Sequence, residues 1–188
     1  MKTIVITHPY ENSFNMAILN EVTTYFKKEN IEYNIIDLYQ DNFDPVLRKN
    51  DLAIYGEGKS NDPLVKKYNE ILDNTDHIIF IFPIWWYDMP AMLRGFFDKV
   101  MLINSSYTSD GVNLTPSRKI NKTSIFTTSA ASNKQLIEDF GDPINKVIIN
   151  GTFKALGFLN ASWFNMELIV NSTLEDRKKF LNEIKNNL

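Results

Sequence analysis

The run Ile78–Phe82 limits the fold of this chain more than any other stretch of its sequence. Every residue in it is isoleucine or phenylalanine, without the polar alternation of a strand that has one face in water. Such a run is typical of a strand buried on both faces, as in a parallel sheet covered by helices. An amphipathic helix is predicted directly after it, over Met89–Leu102, with Pro90 in its first turn.

Strand and helix signals alternate along the rest of the chain. Short β-branched or apolar runs predict strands, and apolar residues at helical spacing predict helices. The predicted strands are Thr3–Thr7, Tyr33–Leu38, His77–Phe82, Thr123–Thr128 and Asn160–Glu167. The predicted helices are Phe14–Lys28, Pro63–Leu72, Met89–Leu102, Pro143–Leu156 with Gly157 as the C-cap, and Leu174–Lys185. Between them, Tyr39–Asn61 has no sustained period and is predicted to be a long loop that could include a short helical turn.

Five strand–helix units predict an α/β fold, because each strand is followed by a helix that returns the chain to the same edge of a parallel sheet. The length of 188 residues suits one domain, residues 1–188, of the flavodoxin-like kind. We therefore predict a five-stranded parallel sheet of order 2-1-3-4-5 with helices on both faces.

Composition excludes several classes of function. A net charge of −3 and a pI near 5.4 argue against a nucleic-acid partner. The absence of cysteine excludes disulfides, thiolate catalysis and zinc–thiolate sites, and His8 and His77 alone cannot build a histidine-rich metal site. The sequence shows no secretory signal and no apolar run long enough for membrane insertion. These features predict a cytoplasmic protein.

In a sheet of this order, the loops after strands 1, 3 and 4 lie side by side where ligands bind. The first loop, His8–Asn15, leads into a helix N-terminus that favours a phosphate. Side chains of His8, Ser13 and Asn15 add hydrogen-bond donors. A purely structural interpretation is equally open, in which Ser13 caps the helix and His8 belongs to a turn. The loop lacks the glycine spacing of a P-loop, so a phosphate site here relies on side chains.

The second loop, Pro83–Pro90, contains the adjacent tryptophans Trp85 and Trp86. Such a pair after a buried strand would expose a large apolar surface unless a flat aromatic ligand covered it, and a flavin ring is the obvious one. The alternative is that both tryptophans lie in the core or in a dimer interface. Their place between two prolines, which stiffen the loop, favours the ligand.

The third loop, Thr127–Asn133, consists of small and hydroxylated residues after strand 4. Such residues permit close approach of the backbone and offer N–H and O–H donors, which the carbonyl-rich pyrimidine edge of a flavin requires. A solvated polar turn before a helix would explain this loop equally well.

Together these residues resemble the flavodoxin-2 family, which includes NAD(P)H:quinone oxidoreductases, drug-modulator type reductases and ancillary subunits of potassium-efflux systems. The resemblance covers most of the chain. Its motifs are Ser13-Phe14-Asn15, the pattern Pro-x-Trp-Trp…Met-Pro-Ala…Gly-x-x-Asp over residues 83–98, and Thr127-Thr128.

The resemblance implies a flavin site in three parts. The implied residues are His8, Ser13, Phe14 and Asn15 for the phosphate or pyrophosphate, Pro83, Ile84, Trp85 and Trp86 for the isoalloxazine ring, and Thr127, Thr128, Ser129 and Ala130 for the pyrimidine end.

The same resemblance implies an enzyme that passes hydride from NAD(P)H through flavin N5 to quinone-like acceptors in a ping-pong cycle. It also implies a homodimer, with Tyr107 as a candidate to cover the ring. The segment Tyr39–Asn61 is long enough to line a site for an adenosine. This favours FAD as the cofactor, with FMN as the alternative. Other functions remain open: a flavodoxin-like electron carrier, or a flavin-binding regulatory subunit of a membrane transporter.

The chain departs from the family pattern at three places. The usual Gly-Phe-Ala-Tyr after the central helix is Asn-Ser-Ser-Tyr here, which retains only Tyr107. The glycines that usually follow Thr-Thr are replaced by Ser129 and Ala130, which narrows backbone freedom. The tyrosine and histidine that assist hydride transfer in mammalian quinone reductases are replaced near Gln135 and Phe140.

Overall fold

The computed structural model describes residues 1–188 and is built around a five-stranded parallel sheet of order β2-β1-β3-β6-β7. Its strands are β1 (Lys2–Ile6), β2 (Tyr33–Asp37), β3 (His77–Pro83), β6 (Lys122–Thr128) and β7 (Ala161–Met166). A separate antiparallel hairpin consists of β4 (Tyr107–Ser109) and β5 (Leu114–Pro116). Because β6 and β7 are the fourth and fifth predicted strands, the predicted order 2-1-3-4-5 is confirmed.

Helices cover both faces of the sheet. They are α1 (Phe14–Lys28), α2 (Lys49–Tyr55), α3 (Pro63–Asp73), α4 (Ala91–Val100), α5 (Leu174–Glu183), the π-helices Gln135–Asp139 and Ile144–Phe153, and the 3₁₀-helices Ile169–Asn171 and Ile184–Asn187. The helix α4 begins after Pro90, which is its N-cap rather than a first-turn residue as predicted.

The central strand β3 contributes side chains to two separate hydrophobic cores, which explains its continuous apolar sequence. Alternate side chains of a strand point to opposite faces. Ile78, Phe80 and Phe82 therefore join the core under α3 and α4, whereas Ile79 and Ile81 join the core under α1 and α5. The sequence pattern that predicted burial on both faces is thus confirmed.

The segment between β2 and α3, predicted as a loop, contains α2 and packs closely on α4. Pro45 lies directly against Gly95: a Cβ added at Gly95 would lie 2.3 Å from the Pro45 backbone oxygen. Beside this contact, the ammonium of Lys99 donates to the Asp44 backbone oxygen at 2.8 Å and to Asp62 Oδ2 at 3.0 Å. These contacts fix the segment to the helix that follows the Trp85-Trp86 loop.

Gly95→Ala is expected to lower the free energy of unfolding by about 2–3 kcal/mol, because the new methyl group overlaps backbone atoms that cannot rotate away. Urea unfolding followed by circular dichroism measures the change. Gly151→Ala is the matched control, since only Lys146 O, at 3.8 Å, lies near its added Cβ. Equal effects at the two glycines would contradict the close approach of Pro45.

Candidate functional site

Direct hydrogen bonds join the three predicted loops at the carboxyl ends of β1, β3 and β6. Ile84 N–H donates to the Thr128 backbone oxygen at 2.7 Å, linking the second loop to the third. Asn15 Nδ2 donates to Thr128 Oγ1 at 3.1 Å, linking the first loop to the third. The rings of His8 and Trp85 meet edge to face with centroids 6.0 Å apart, linking the first loop to the second. The predicted juxtaposition of the loops is present.

The first loop presents a helix N-terminus with unused donors. Ser13 Oγ accepts from Met16 N–H at 3.3 Å and so caps α1, which leaves its hydroxyl hydrogen free for another acceptor. The backbone N–H groups of Phe14 and Asn15 have no hydrogen-bond partner in the chain. An anion is favoured here by these donors and by the helix dipole. The Phe14 ring faces away, against Phe180 of α5.

His8 is held as a neutral donor beside this loop. Burial lowers the pKa of the His8 imidazole. Its Nδ1 lies 3.0 Å from Tyr10 N–H and accepts that hydrogen, so the proton of the neutral ring resides on Nε2. The Nε2–H group is therefore available to an acceptor near the loop.

Asn15 has a buried amide oxygen without a hydrogen-bond partner. Its side chain is 2% exposed, and Oδ1 is buried without a partner. Reversing the amide gives an equally valid pair, in which Thr128 O–H donates to Oδ1 and the NH₂ group is released. Either orientation leaves one amide atom for a ligand, an acceptor in the first case and a donor in the second. A flavin ribityl hydroxyl meets the first need, and a phosphate oxygen the second.

The second loop is a strained two-residue turn that displays aromatic side chains. Trp85 and Asp88 exchange backbone hydrogen bonds of 3.0 and 3.1 Å, as in a tight hairpin. The central residues Trp86 and Tyr87 have φ of 52° and 65°, a left-handed conformation that costs non-glycine residues about 1–2 kcal/mol each. Their N–H groups have no partner in the chain, and the Trp86 side chain is 92% exposed. Strain and exposure of this kind are typical of a ligand-binding turn.

Trp86→Asn is expected to raise the melting temperature of the flavin-free protein, because asparagine tolerates positive φ and the exposed indole has no packing to lose. The gain corresponds to about 0.5–1 kcal/mol. The same variant should bind flavin more weakly. Val147→Asn, at an exposed apolar residue without positive φ that lies outside the three loops and the Tyr107 surface, is the control and should change neither property. A lower melting temperature for Trp86→Asn would contradict the strain.

The third loop offers further free amides. The side chains of Thr127 and Thr128 are buried, and the hydroxyl of Ser129 donates to the Ala131 backbone oxygen at 2.6 Å. The backbone N–H groups of Ala130 and Ala131 have no partner in the chain. Two adjacent donors of this kind suit the carbonyls of a pyrimidine edge.

Aromatic stacking closes one side of the space between the second and third loops. The rings of Tyr87 and Phe140 are stacked with centroids 3.9 Å apart. Behind them a small cavity of about 140 Å³ is lined by Ile84, Trp86, Ser129, Leu136 and their neighbours. No sequence pattern predicts that Tyr87 contacts Phe140, because the two residues are too far apart in the chain for a short-range signal.

Tyr107 lies elsewhere in the chain's own structure. It begins β4, and its hydroxyl bonds with the Tyr55 hydroxyl at 2.9 Å. The two tyrosines line a cavity of about 250 Å³ with Phe97 of α4 and Leu114 of β5, and no residue of the three loops lines that cavity. A role for Tyr107 over a flavin would therefore involve a second copy of the chain.

The parallel sheet with its ligand-binding edge defines this molecule as a flavodoxin-like α/β protein. All of residues 1–188 match the sequence profile of the Flavodoxin_2 family, described as having a flavodoxin-like fold. The chain belongs to that family.

Individual relatives agree with this assignment. A Haemophilus influenzae protein named an uncharacterized NAD(P)H oxidoreductase is 28% identical over 163 residues, which cover 85% of this chain and 80% of that protein. Rat NAD(P)H dehydrogenase [quinone] 1 is 30% identical over 122 residues, 56% of this chain but only 44% of the rat enzyme. A crystal structure from Streptococcus mutans, 31% identical, superposes with a TM-score of 0.83 over 99% of this chain and 97% of that one.

The residues of the three loops fit a flavin. Unpartnered N–H groups lie in the first loop for a phosphate, and in the second and third loops for ring atoms that accept hydrogen bonds. The buried amide oxygen of Asn15, between the first and third loops, has no hydrogen-bond partner in the chain. Separately, no helix of the structure is both long and apolar enough to cross a membrane.

Proposed function

We propose that this protein is a flavin-dependent NAD(P)H oxidoreductase that reduces quinone-like acceptors. The observation that carries the proposal is the set of unpartnered backbone N–H groups, at least two in each loop, around the Trp85-Trp86 turn. A bound flavin would supply the redox chemistry, accepting hydride from NAD(P)H and passing it to the acceptor in alternation. The names of the H. influenzae and rat relatives support the same class of reaction.

In this proposal the chain binds and orients, and no side chain acts as a strong acid or base. The amides of Phe14 and Asn15, with Ser13, hold the phosphate. Residues 83–86 line the ring, and their stiff turn fixes its angle. The backbone amides that follow Thr127 and Thr128 would donate to the carbonyl-rich pyrimidine end of the ring.

The cofactor we propose is FAD, with FMN as the alternative. Two cavities offer room for an adenosine, one beside the first loop and one at the end of β7. Tyr39 and Gln40 line a cavity of about 460 Å³ with His8 and Pro9, and the end of β7 lines another of about 400 Å³ that includes Phe180. Denaturing the purified holoprotein and weighing the released flavin by mass spectrometry decides between the two cofactors.

We propose that the protein forms a homodimer in which Tyr107 of one copy covers the flavin of the other. The surface around Tyr107 supports this arrangement: α2 has no buried residue, and Leu52, Val112 and Leu114 expose apolar side chains. Sedimentation equilibrium measures the oligomeric state. If the protein is a dimer, Tyr107→Phe should change turnover without changing the dimer mass.

Anaerobic stopped-flow mixing of the flavin-loaded protein with NADPH, and separately with NADH, tests the proposed reaction. Direct bleaching of the flavin, followed by reoxidation with a quinone such as menadione, is the expected result. A flavin that is reduced only through a separate reductase would establish an electron carrier instead. Co-purification with a transporter, without turnover, would establish a regulatory subunit. A purified protein that binds no added flavin would overturn the proposal.

A further inference from the structure

A continuous hydrogen-bond chain runs from β7 into the third loop. Trp163 Nε1 donates to Thr127 Oγ1 at 2.8 Å, and Thr127 Oγ1 donates to Asn165 Oδ1 at 2.8 Å. Asn165 Nδ2 then donates to Ser129 Oγ at 2.8 Å, and Ser129 Oγ donates to the Ala131 backbone oxygen at 2.6 Å. The chain therefore connects the Trp163 indole to the peptide between Ala131 and Ser132.

Chemistry allows only one direction for these bonds. A backbone carbonyl only accepts, so Ser129 must give its single hydroxyl hydrogen to Ala131 O and can only accept from Asn165. This turns the NH₂ group of Asn165 toward Ser129 and its Oδ1 toward Thr127, which therefore donates to Asn165 and accepts from the Trp163 indole. Such one-way networks are rigid because reversing one member leaves its neighbours unpaired.

Asn165 makes a second contact with the same loop. Its Nδ2 also donates to Asn133 Oδ1 at 2.7 Å, and the Asn133 backbone N–H donates to the carboxylate of Glu167. One side chain therefore holds both ends of the segment from Ser129 to Asn133. The unpartnered amides of Ala130 and Ala131 lie inside that segment.

We propose that Asn165 is the positioning residue that holds the third loop ready for the pyrimidine end of the flavin. The inference rests on the proposed flavin site. Ser129 and Ala130 each carry a Cβ, so their backbone has a narrower range of φ and ψ than glycines would have at the same positions. Side-chain hydrogen bonds from β7 hold the loop in one conformation. The Ser129 hydroxyl accepts one of these bonds, which a glycine could not do.

Asn165→Asp tests this role with almost no change in shape. A carboxylate still accepts from Thr127 but cannot donate to Ser129 or Asn133. We expect flavin affinity to fall roughly 10- to 30-fold, and hydrogen exchange at residues 129–133 to accelerate in the flavin-free protein. Ser129→Ala should weaken binding in the wild type but add little in Asn165→Asp, since the two changes break the same chain.

Acidification provides a rescue that a merely structural role would not show. As the new carboxyl group protonates it regains one donor, so the affinity of Asn165→Asp should recover toward that of the wild type at the same pH. Glu167, Asp176, Lys179 and Glu183 line the cavity beside Asn165 in both proteins, so the ratio of the two affinities at each pH is the measured quantity. Ser162→Asp, an added charge at an exposed position of β7, controls for charge alone.

The outcomes separate this inference from the proposed function. If the wild type binds flavin and Asn165→Asp binds it equally well, the positioning role is wrong while the flavin site stands. Additive losses from Asn165→Asp and Ser129→Ala would likewise overturn the one-way chain. If the wild type itself binds no flavin, the proposed function fails and this inference fails with it.

Discussion

Replacing Asn15 by leucine is expected to weaken flavin binding by roughly 30- to 100-fold, the largest functional effect of any single change at the site. Leucine has nearly the same shape, so α1 should form as before. The substitution removes the Nδ2 bond of 3.1 Å to Thr128 and with it the amide atom left free for a ligand. Titration of the flavin-free protein with FAD and with FMN, followed by flavin fluorescence, measures the loss.

Asn20→Leu is the matched control for this variant. Asn20 lies on the same helix with an exposed side chain, and that side chain makes no hydrogen bond in the chain. Its substitution should leave flavin affinity unchanged. Wild-type affinity in Asn15→Leu, or equal losses in the two variants, would contradict the role assigned to the buried amide.

Much of the fold was predictable because burial and periodicity coincide in the main elements. The helix Phe14–Lys28 has the predicted bounds, since Ser13 caps its start and Ile18, Leu19 and Val22 form a stripe toward the sheet. The alternation of strands with helices around the buried strand β3 predicts the sheet order, because crossovers between parallel strands are right-handed and five such units commonly adopt the order 2-1-3-4-5.

The remaining elements, of which the sequence predicts at best a short helical turn in Tyr39–Asn61, have no such signal. The helix α2 has no buried residue, so its sequence shows no apolar stripe. The hairpin strands β4 and β5 have only three residues each, too few for alternation to be recognised. Their positions depend on tertiary contacts such as the bond between Tyr55 and Tyr107.

At the site, sequence indicated the three loops but not how they are held. Placement followed from the strand order, because the carboxyl ends of neighbouring strands meet at one edge. The backbone amides that remain free, the left-handed turn at Trp86 and the chain through Asn165 are consequences of folded geometry. The sequence around Asn165 predicts a strand but gives no sign of its role in the site. The side-chain partners of Asn165 lie more than 30 residues away in the chain, and Ser129 is 36 residues away.

Lys99→Met is expected to cause the largest loss of stability, about 3 kcal/mol at neutral pH. The Lys99 side chain is 4% exposed, and its ammonium lies 3.0 Å from Asp62 Oδ2, in a carboxylate that is itself 19% exposed. Methionine keeps an apolar stem but removes the ammonium, which lies 5.3 Å from the centroid of the Phe43 ring, and it leaves Asp62 as a largely buried charge without its partner. Removing one member of such a pair typically costs about 3–5 kcal/mol, and the partial exposure of Asp62 favours the lower end.

Two comparisons identify the buried ion pair as the cause of this loss in urea unfolding. Lys67 pairs with Asp41 at 3.3 Å, but its side chain is 50% exposed, so Lys67→Met should cost less than about 1 kcal/mol. Adding Asp62→Asn to Lys99→Met should recover part of the loss, because asparagine can still accept from Leu64 N–H at the start of α3 while removing the uncompensated charge. Equal costs at Lys99 and Lys67, or no recovery in the double variant, would show that the pair does not hold the Phe43–Asp62 segment on α4.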